Sequence, residues 1–269
     1  METIKFRASE LGLIMSDERS SVITPTQLKE LNGLLERISL TSKQAVRRDE
    51  LIAKRDAPPV LSQGAKTYIQ KKALHHKYGI EDTIESRYLD KGIICEDEAV
   101  QYYATVSGEH LIFKNEEHFK NDYVQGTPDL ILEDRIVDIK CSWSLDSFPF
   151  FEDKLKTLYF YQVQAYMWLT NRNKAEVAYV LVNTPDHLFQ QELEREKWKV
   201  KDTQGVLDLT AEMESDIYEE LILKHNFDRI PFEKRVKRFY VEADQTVQWK
   251  IQEKVKLANE YFNEVIETL

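Results

Sequence analysis

The segment Gly126-Thr127-Pro128-Asp129-Leu130-Ile131-Leu132-Glu133-Asp134-Arg135-Ile136-Val137-Asp138-Ile139-Lys140 constrains this chain more than any other stretch. Two short apolar runs flank Glu133-Asp134, and a tight turn there sets one register. Leu132 pairs with Arg135, Ile131 with Ile136, Leu130 with Val137, and Asp129 with Asp138. Side chains alternate faces along a strand, and directly opposed residues have Cβ atoms about 4.5 to 5.5 Å apart. Asp129 and Asp138 then confront each other, Lys140 shares their face, and Val137, Ile139 and Cys141 point to the core. Opposed like charges are destabilising unless a cation lies between them. A hard divalent ion suits the place, because magnesium takes oxygen ligands and often uses only one or two carboxylates plus water. A solvated hairpin whose acids never meet satisfies the same residues, and Glu133-Asp134 is not a strong turn former such as Asn-Gly, so the register depends on the turn.

A third carboxylate bears on that choice. In Gly92-Ile93-Ile94-Cys95-Glu96-Asp97-Glu98-Ala99-Val100-Gln101-Tyr102-Tyr103, helical spacing puts Glu96 on one stripe with Ala99, Val100 and Tyr103. Glu96 heads an inward apolar face, where an unpaired carboxylate is costly unless a metal or a cation meets it. Pairing with the positive helix terminus or with Lys91 meets that need equally. Gln162 and Tyr166, at i and i+4, present an amide and a phenol side by side on a further helix; packing alone accounts for such a pair as well.

Composition limits the function classes. The 269 residues carry 37 Lys plus Arg against 47 Asp plus Glu, a formal charge of −10, with 42% apolar and 31% charged residues. That is the profile of an ordinary folded globule, and it argues against a protein that coats nucleic acid by bulk attraction, since nonspecific affinity comes from phosphate neutralisation. Any nucleic-acid site needs locally concentrated cations. Lys66, Lys71, Lys72 and Lys77 on a basic helix, with Lys154 and Lys156, are the candidates, although each also suits a solvated surface. Trp143, Phe148, Phe150 and Phe151 form an aromatic group that either stacks on bases or packs the hairpin. Two cysteines, Cys95 and Cys141, exclude a disulfide scaffold and four-cysteine metal sites, and His75-His76, His110 and His118 lack zinc-ligand spacing. No run approaches the roughly 20 apolar residues of a membrane span, and the N-terminus has no signal-like apolar core, so a cytoplasmic protein is expected.

Along the chain, Thr24-Pro25 starts a helix carrying Leu28, Leu31, Leu34, Leu35 and Ile38, and Pro58-Pro59 ends that region. A helix begins near Ser62 with Ala65, Ile69 and Ala73 on one stripe. Helices near 94–106, 152–170 and 209–225 alternate with strands near 129–141, 176–183 and 236–242, and Asp244 caps a terminal helix. Residues 186–205 fit neither period. Strands alternating with helices indicate an α/β fold with a helical N-terminal extension.

The succession Gly92-x3-Glu96, Gly126-Thr127-Pro128-Asp129, Asp138-Ile139-Lys140 and Gln162-x3-Tyr166 resembles the PD-(D/E)xK nucleases, and within them the YqaJ and phage lambda exonuclease branch, which serves viral recombination. The likeness is specific over about residues 90 to 183, and Asp138 stands where near relatives often have Glu. It implies a restriction-endonuclease-like core, a mixed β-sheet flanked by helices, over residues 61–269, with residues 1–60 as a helical extension. It implies that Asp129, Asp138 and the backbone carbonyl of Ile139 bind magnesium, that Glu96 holds a second ion or its water, that Lys140 acts on the attacking water and the phosphate, and that Gln162 supports the arrangement. Manganese would substitute. Ser62 falls where this branch has a serine near its 5′-phosphate pocket; Lys66, Tyr166 and Trp143 are further candidate substrate contacts. The implied activity is resection of linear duplex DNA, 5′ to 3′, by a homotrimeric ring that works with a single-strand annealing protein. An endonuclease of the same superfamily and a noncatalytic DNA-binding module are the rival readings.

Overall fold

The computed structural model describes residues 3–16, 23–80, 86–110 and 112–269. Its elements in chain order are β1 (Phe6–Arg7), α1 (Leu11–Ile14), α2 (Pro25–Leu35), α3 (Ser42–Arg55), α4 (Gln63–Tyr78), α5 (Arg87–Ile94), α6 (Glu96–Ser107), β2 (Phe119–Lys120), β3 (Val124–Gly126), β4 (Leu130–Ile131), β5 (Ile136–Cys141), α7 (Thr157–Thr170), β6 (Lys174–Val180), α8 (Asp186–Gln204), α9 (Ala211–His225), β7 (Val236–Glu242) and α10 (Gln245–Thr268). They fall into two compact units, one within residues 1–82, 120–125 and 244–269, the other within 83–119 and 126–243.

The second unit carries a four-stranded mixed sheet of order β4-β5-β6-β7, in which β5 and β6 run parallel and the two outer pairs antiparallel. The parallel pair needs a crossover, and α7 supplies it. Ile136 to Ile139 are all buried, as befits a strand covered on both faces. On one side α6 lays Cys95, Ala99 and Tyr103 against Val137, Ile139, Ala178 and Val180. On the other lies α7, whose residues Gln162 to Met167 are buried all round. The hairpin forms in the register read from the sequence: Leu130 faces Val137, Ile131 faces Ile136, and Leu132 N donates to Arg135 O at 2.8 Å.

One buried acid in this unit is fully compensated. Glu176, 0% exposed, accepts from Tyr103 Oη at 3.2 Å, from Arg135 Nε at 3.3 Å and from Arg238 through two nitrogens. Two guanidinium groups meet one carboxylate, which is how a charge survives in a dry core.

In the first unit α4 and α10 pack on each other, burying Ala65, Ile69 and Ala73 from one and Ile251, Val255, Ala258 and Phe262 from the other. Their apolar stripes unite segments nearly two hundred residues apart, so residue 60, the division read from the sequence, lies inside this unit. Asn259 on α10 exchanges hydrogen bonds with the backbone of Ile4, at 2.8 and 3.1 Å, and Lys254, 0% exposed, donates to the carbonyls of Ser16 and Val60. Ser62, Thr24 and Asp244 cap α4, α2 and α10 with their side-chain oxygens, as the sequence indicates.

Several elements differ from expectation: α2 ends at Leu35, short of Ile38, and α7 starts at Thr157 rather than near residue 152. The helix expected over 94–106 is preceded by α5, and Cys95, at φ −92° and ψ 3°, ends α5 and starts α6 in a single residue. Residues 186–205 are helical throughout. Only the first turns of α8 are buried, through Leu188, Phe189, Glu192 and Leu193, whereas Trp198 is 67% exposed. A helix with half a buried face leaves no full-length apolar stripe to read.

Candidate active site

Strand pairing brings the two aspartates together. Asp129 sits at the entry to β4, and its Oδ2 accepts from the Ile139 amide at 2.6 Å, which pins the carboxylate to β5 beside Asp138. Asp138 is 1% exposed. Its Oδ1 accepts from Gln162 Nε2 on α7 at 3.0 Å, and the same amide nitrogen reaches Tyr166 Oη at 3.2 Å, the neighbour expected from i,i+4 spacing. Asp138 Oδ2 lies 2.8 Å from Lys140 Nζ but receives no aligned hydrogen bond. The ammonium also lies 5.0 Å from the centre of the Tyr159 ring.

The charges are unequal. Lys140 pairs with Asp138 alone, and Asp129 has no ion-pair partner among the described residues, in contrast to Glu176 with its two arginines. The deficit is visible in proton affinity. Burial first, and then the Asp138 charge, push Asp129 up to about 7. Burial likewise raises Asp138 against the opposing pull of Lys140. For Lys140 burial alone would favour the neutral amine, but Asp138 and Asp129 outweigh it and hold the group above its ordinary value. Tyr166 is raised by burial and by Asp138, and stays a phenol.

Glu96 opens α6 as expected, with Ala99 and Tyr103 of its stripe buried. Its Oε2 is taken by Lys114, which no sequence period singles out, because Lys114 reaches Leu130 through a single bridge rather than a periodic strand. Glu96 still raises Asp129 slightly, so its charge is felt there. Among the described residues no three carboxylate, imidazole or thiolate groups converge closely enough to enclose an ion.

The donor set nevertheless fits a hard cation. The groups are all oxygens, and the ion pair of Lys140 with Asp138 leaves the charge of Asp129 without an ion-pair partner among the described residues. Asp129, Asp138 and the neighbouring Ile139 carbonyl are the residues able to hold it.

The remaining candidates lie elsewhere. Trp143 is packed edge-on against Tyr88 and His225, with ring centres 5.1 and 5.2 Å away, and Arg87 stacks on it. Its carbonyl accepts from Lys91 Nζ at 3.0 Å; Lys91, 0% exposed and without a carboxylate in contact among the described residues, falls to about 8 through burial. That arrangement is packing, the bland alternative for the aromatic group, although Phe151 at the end of the chain Phe148-Phe150-Phe151 is 95% exposed. Ser62 and Lys66 belong to the first unit. There Ser62 Oγ accepts from the Ala65 amide and meets Ser16 Oγ at 2.8 Å, while Lys66 Nζ lies 5.8 Å from the Tyr261 ring centre. Lys72 is consumed by Glu10 at 3.0 Å.

A mixed sheet with an aspartate and a lysine on its second strand, a further aspartate beside them, and a helix on each face defines an α/β fold with a carboxylate–ammonium site under α7. Solved structures share that fold along nearly their whole length. A phage-related exonuclease from Haemophilus somnus 129PT superposes with a TM-score of 0.69 at 22% identity, over 99% of this chain and 97% of that one. An alkaline exonuclease from Laribacter hongkongensis does so with a TM-score of 0.54 at 13% identity, over 98% and 90%. The α/β core implied by the sequence resemblance is therefore the fold formed. No protein-family profile matches the sequence, and no curated protein matches it. No helix among the described residues is long and apolar enough to cross a membrane.

Proposed function

We propose that the chain is a divalent-metal-dependent deoxyribonuclease that degrades linear duplex DNA from its ends. The observation that carries this reading is the half-buried Asp129 held beside the buried Asp138, with the Lys140 ammonium paired to Asp138 alone. The likeness in fold to two exonucleases supports it. Magnesium is the proposed ion, bound by Asp129, Asp138 and the Ile139 carbonyl, with manganese as a substitute. Glu96, which pairs with Lys114, is the carboxylate assigned to a second ion. A bound ion would supply Lewis-acid stabilisation of the phosphate and a more acidic water.

The side chains have separable tasks. Lys140 is a cation at neutral pH, so it serves by stabilising negative charge on the scissile phosphate more than by abstracting a proton. Gln162 holds Asp138 Oδ1 in place from α7 and is a positioning residue. Replacing Gln162 with Ala is expected to lower activity about 10- to 100-fold, the usual cost of losing a group that orients a metal ligand. The loss should appear chiefly as a higher magnesium requirement, read from activity titrations against metal concentration.

Cleavage in the 5′ to 3′ direction, a ring-shaped trimer, a single-strand annealing partner and a role in phage recombination follow from the resemblance and belong to the same proposal. End-labelled linear duplex and covalently closed circles, incubated side by side with magnesium, test the mode. Loss of label from linear DNA with circles intact is expected; nicked or linearised circles would make the protein an endonuclease. Binding without metal-dependent cleavage of either would make it a noncatalytic module.

A further inference from the structure

The charge balance leaves the chain at −10, so nucleic-acid binding requires a place where cations gather. Cations gather in the first unit on the helical hairpin of α2 and α3. The two helices pack through a small core of their own, Leu31, Leu34 and Leu51 with Ile23, Leu40 and Ile52 against it. Each begins with a reciprocal cap, Thr24 with Gln27 and Thr41 with Gln44, so the hairpin is well defined at both starts. Between the helices runs a groove of about 440 Å³ lined by Lys29, Arg37, Lys43 and Arg47, with Glu30 as its sole acid.

The pairing within the groove is lopsided. Arg47 takes Glu30 in a fork, Nε to Oε1 at 3.0 Å and Nη2 to Oε2 at 3.1 Å, so the acid is spent on one cation. Lys29, Arg37 and Lys43 have no carboxylate partner among the described residues. Three unmatched cations around one concavity, in an acidic protein, repel each other until an anion enters.

A second feature of the groove is independent of charge. Gly33 lies in the interior of α2, where glycine costs roughly 0.5–1 kcal/mol against alanine. Nothing lies within 4 Å of where its Cβ would be, and the residue lines the groove. The local structure does not demand a glycine there. What it provides is a bare stretch of helix on the floor of a cationic channel, open to close approach by a ligand backbone.

We infer that the α2/α3 groove binds the phosphodiester backbone of duplex DNA, independently of base sequence. A polyanion of regularly spaced phosphates is what three exposed, unmatched cations on an open groove fit; a single small anion would need enclosure that the groove does not give. This inference rests on the nucleic-acid reading above and adds to it a binding surface made of residues outside the carboxylate–lysine site.

The test is binding of the full chain to a short labelled linear duplex in chelator, where no cleavage occurs, followed by anisotropy across a salt series. Neutralising three phosphate contacts in Lys29→Gln/Arg37→Gln/Lys43→Gln should make the plot of log affinity against log salt shallower by about 2.7. Between about 50 and 200 mM salt the wild type should therefore lose roughly 40-fold more affinity than the variant. Gly33→Glu, which improves helix propensity and places a carboxylate in the groove, should weaken binding without lowering the melting temperature. An unchanged salt slope in the triple variant, or full binding by Gly33→Glu, overturns the inference. So does equally tight groove-dependent capture of polyglutamate, which would mark an acidic protein partner instead. If the nuclease reading itself fails, the wild type does not cleave with magnesium, whether or not it binds duplex through the groove. If only the groove assignment fails, the wild type does both and the variants bind as it does.

Discussion

Asp138→Asn is expected to lower metal-dependent release of nucleotides from linear duplex DNA by about 10³-fold or more. The substitution keeps volume and one acceptor, so Gln162 can still donate to the remaining oxygen and the packing of α7 on β5 survives. What goes is the buried charge. Without it Asp129 alone faces the ion, and Lys140, whose elevated proton affinity comes mainly from Asp138, loses its partner 2.8 Å away. The amine is then left partly buried with only Asp129 to favour its charged form. Lys140→Ala, which spares both carboxylates, is expected to cost about 10²- to 10³-fold through lost transition-state stabilisation alone. Because the two residues touch, the double variant should be little worse than Asp138→Asn. Gel or fluorescence assays of end-labelled duplex, with circular dichroism to establish that each variant is folded, decide the matter. Undiminished cleavage by Asp138→Asn would remove the aspartate pair from the chemistry.

The sequence already carried most of the site. Leu130, Val137 and Ile139 share the apolar face packed on α6, and a slip of one residue would turn them all to the face that carries Asp138 and Lys140. The placement of Asp138 and Lys140 together follows from that constraint, and the Gln162–Tyr166 contact follows from helix geometry. The partners that came from far along the chain were not legible. Lys114 meets Glu96 through an isolated bridge, with no period on either side to announce it. Lys91 fulfils its role by reaching a backbone carbonyl, Trp143 O, and a hydroxyl, Thr184 Oγ1 at 3.0 Å, and such acceptors leave no mark in composition. The same holds for the groove on α2 and α3: lysines and arginines on exposed helical positions are unremarkable one by one, and only the crossing of two helices shows which of them lack an acid. Helix α8 shows the reverse limit, since a real helix that buries one end looks aperiodic. The grouping of α10 with α4 is also a tertiary fact, because nothing local distinguishes a terminal helix that returns to the N-terminal segment from one that covers the sheet.

Asp129→Asn is expected to stabilise the metal-free protein at neutral pH while abolishing its activity. The reason lies in the proton balance. Asp129 goes from an ordinary value of 3.8 in the unfolded chain to about 7 in the folded one, driven by burial and then by Asp138. Between those values the folded form holds a proton that the unfolded form has released. The contribution of Asp129 is therefore fully present below about pH 3.8 and is lost as the pH climbs toward 7. Lys140 does not alter the sign, because its ordinary value of 10.5 lies above this window and it is protonated in both states throughout. An asparagine keeps an oxygen for the Ile139 amide and has nothing to titrate. In chelator, the wild type should lose stability relative to the variant from pH 4 to pH 7, the gap reaching on the order of 1–3 kcal/mol, read from urea midpoints at each pH. Magnesium should close the gap at pH 7, because an ion that binds only the folded wild type stabilises it by mass action and finds one carboxylate fewer in the variant. Parallel pH profiles for the two proteins, or a variant less stable at pH 7 in chelator, would show that the two acids do not repel each other in the folded chain. A site that is unstable without its ion and lethargic without its charge would place the same carboxylate pair at the origin of both effects, with binding of the ion as the event that relieves a strain folding alone leaves in place.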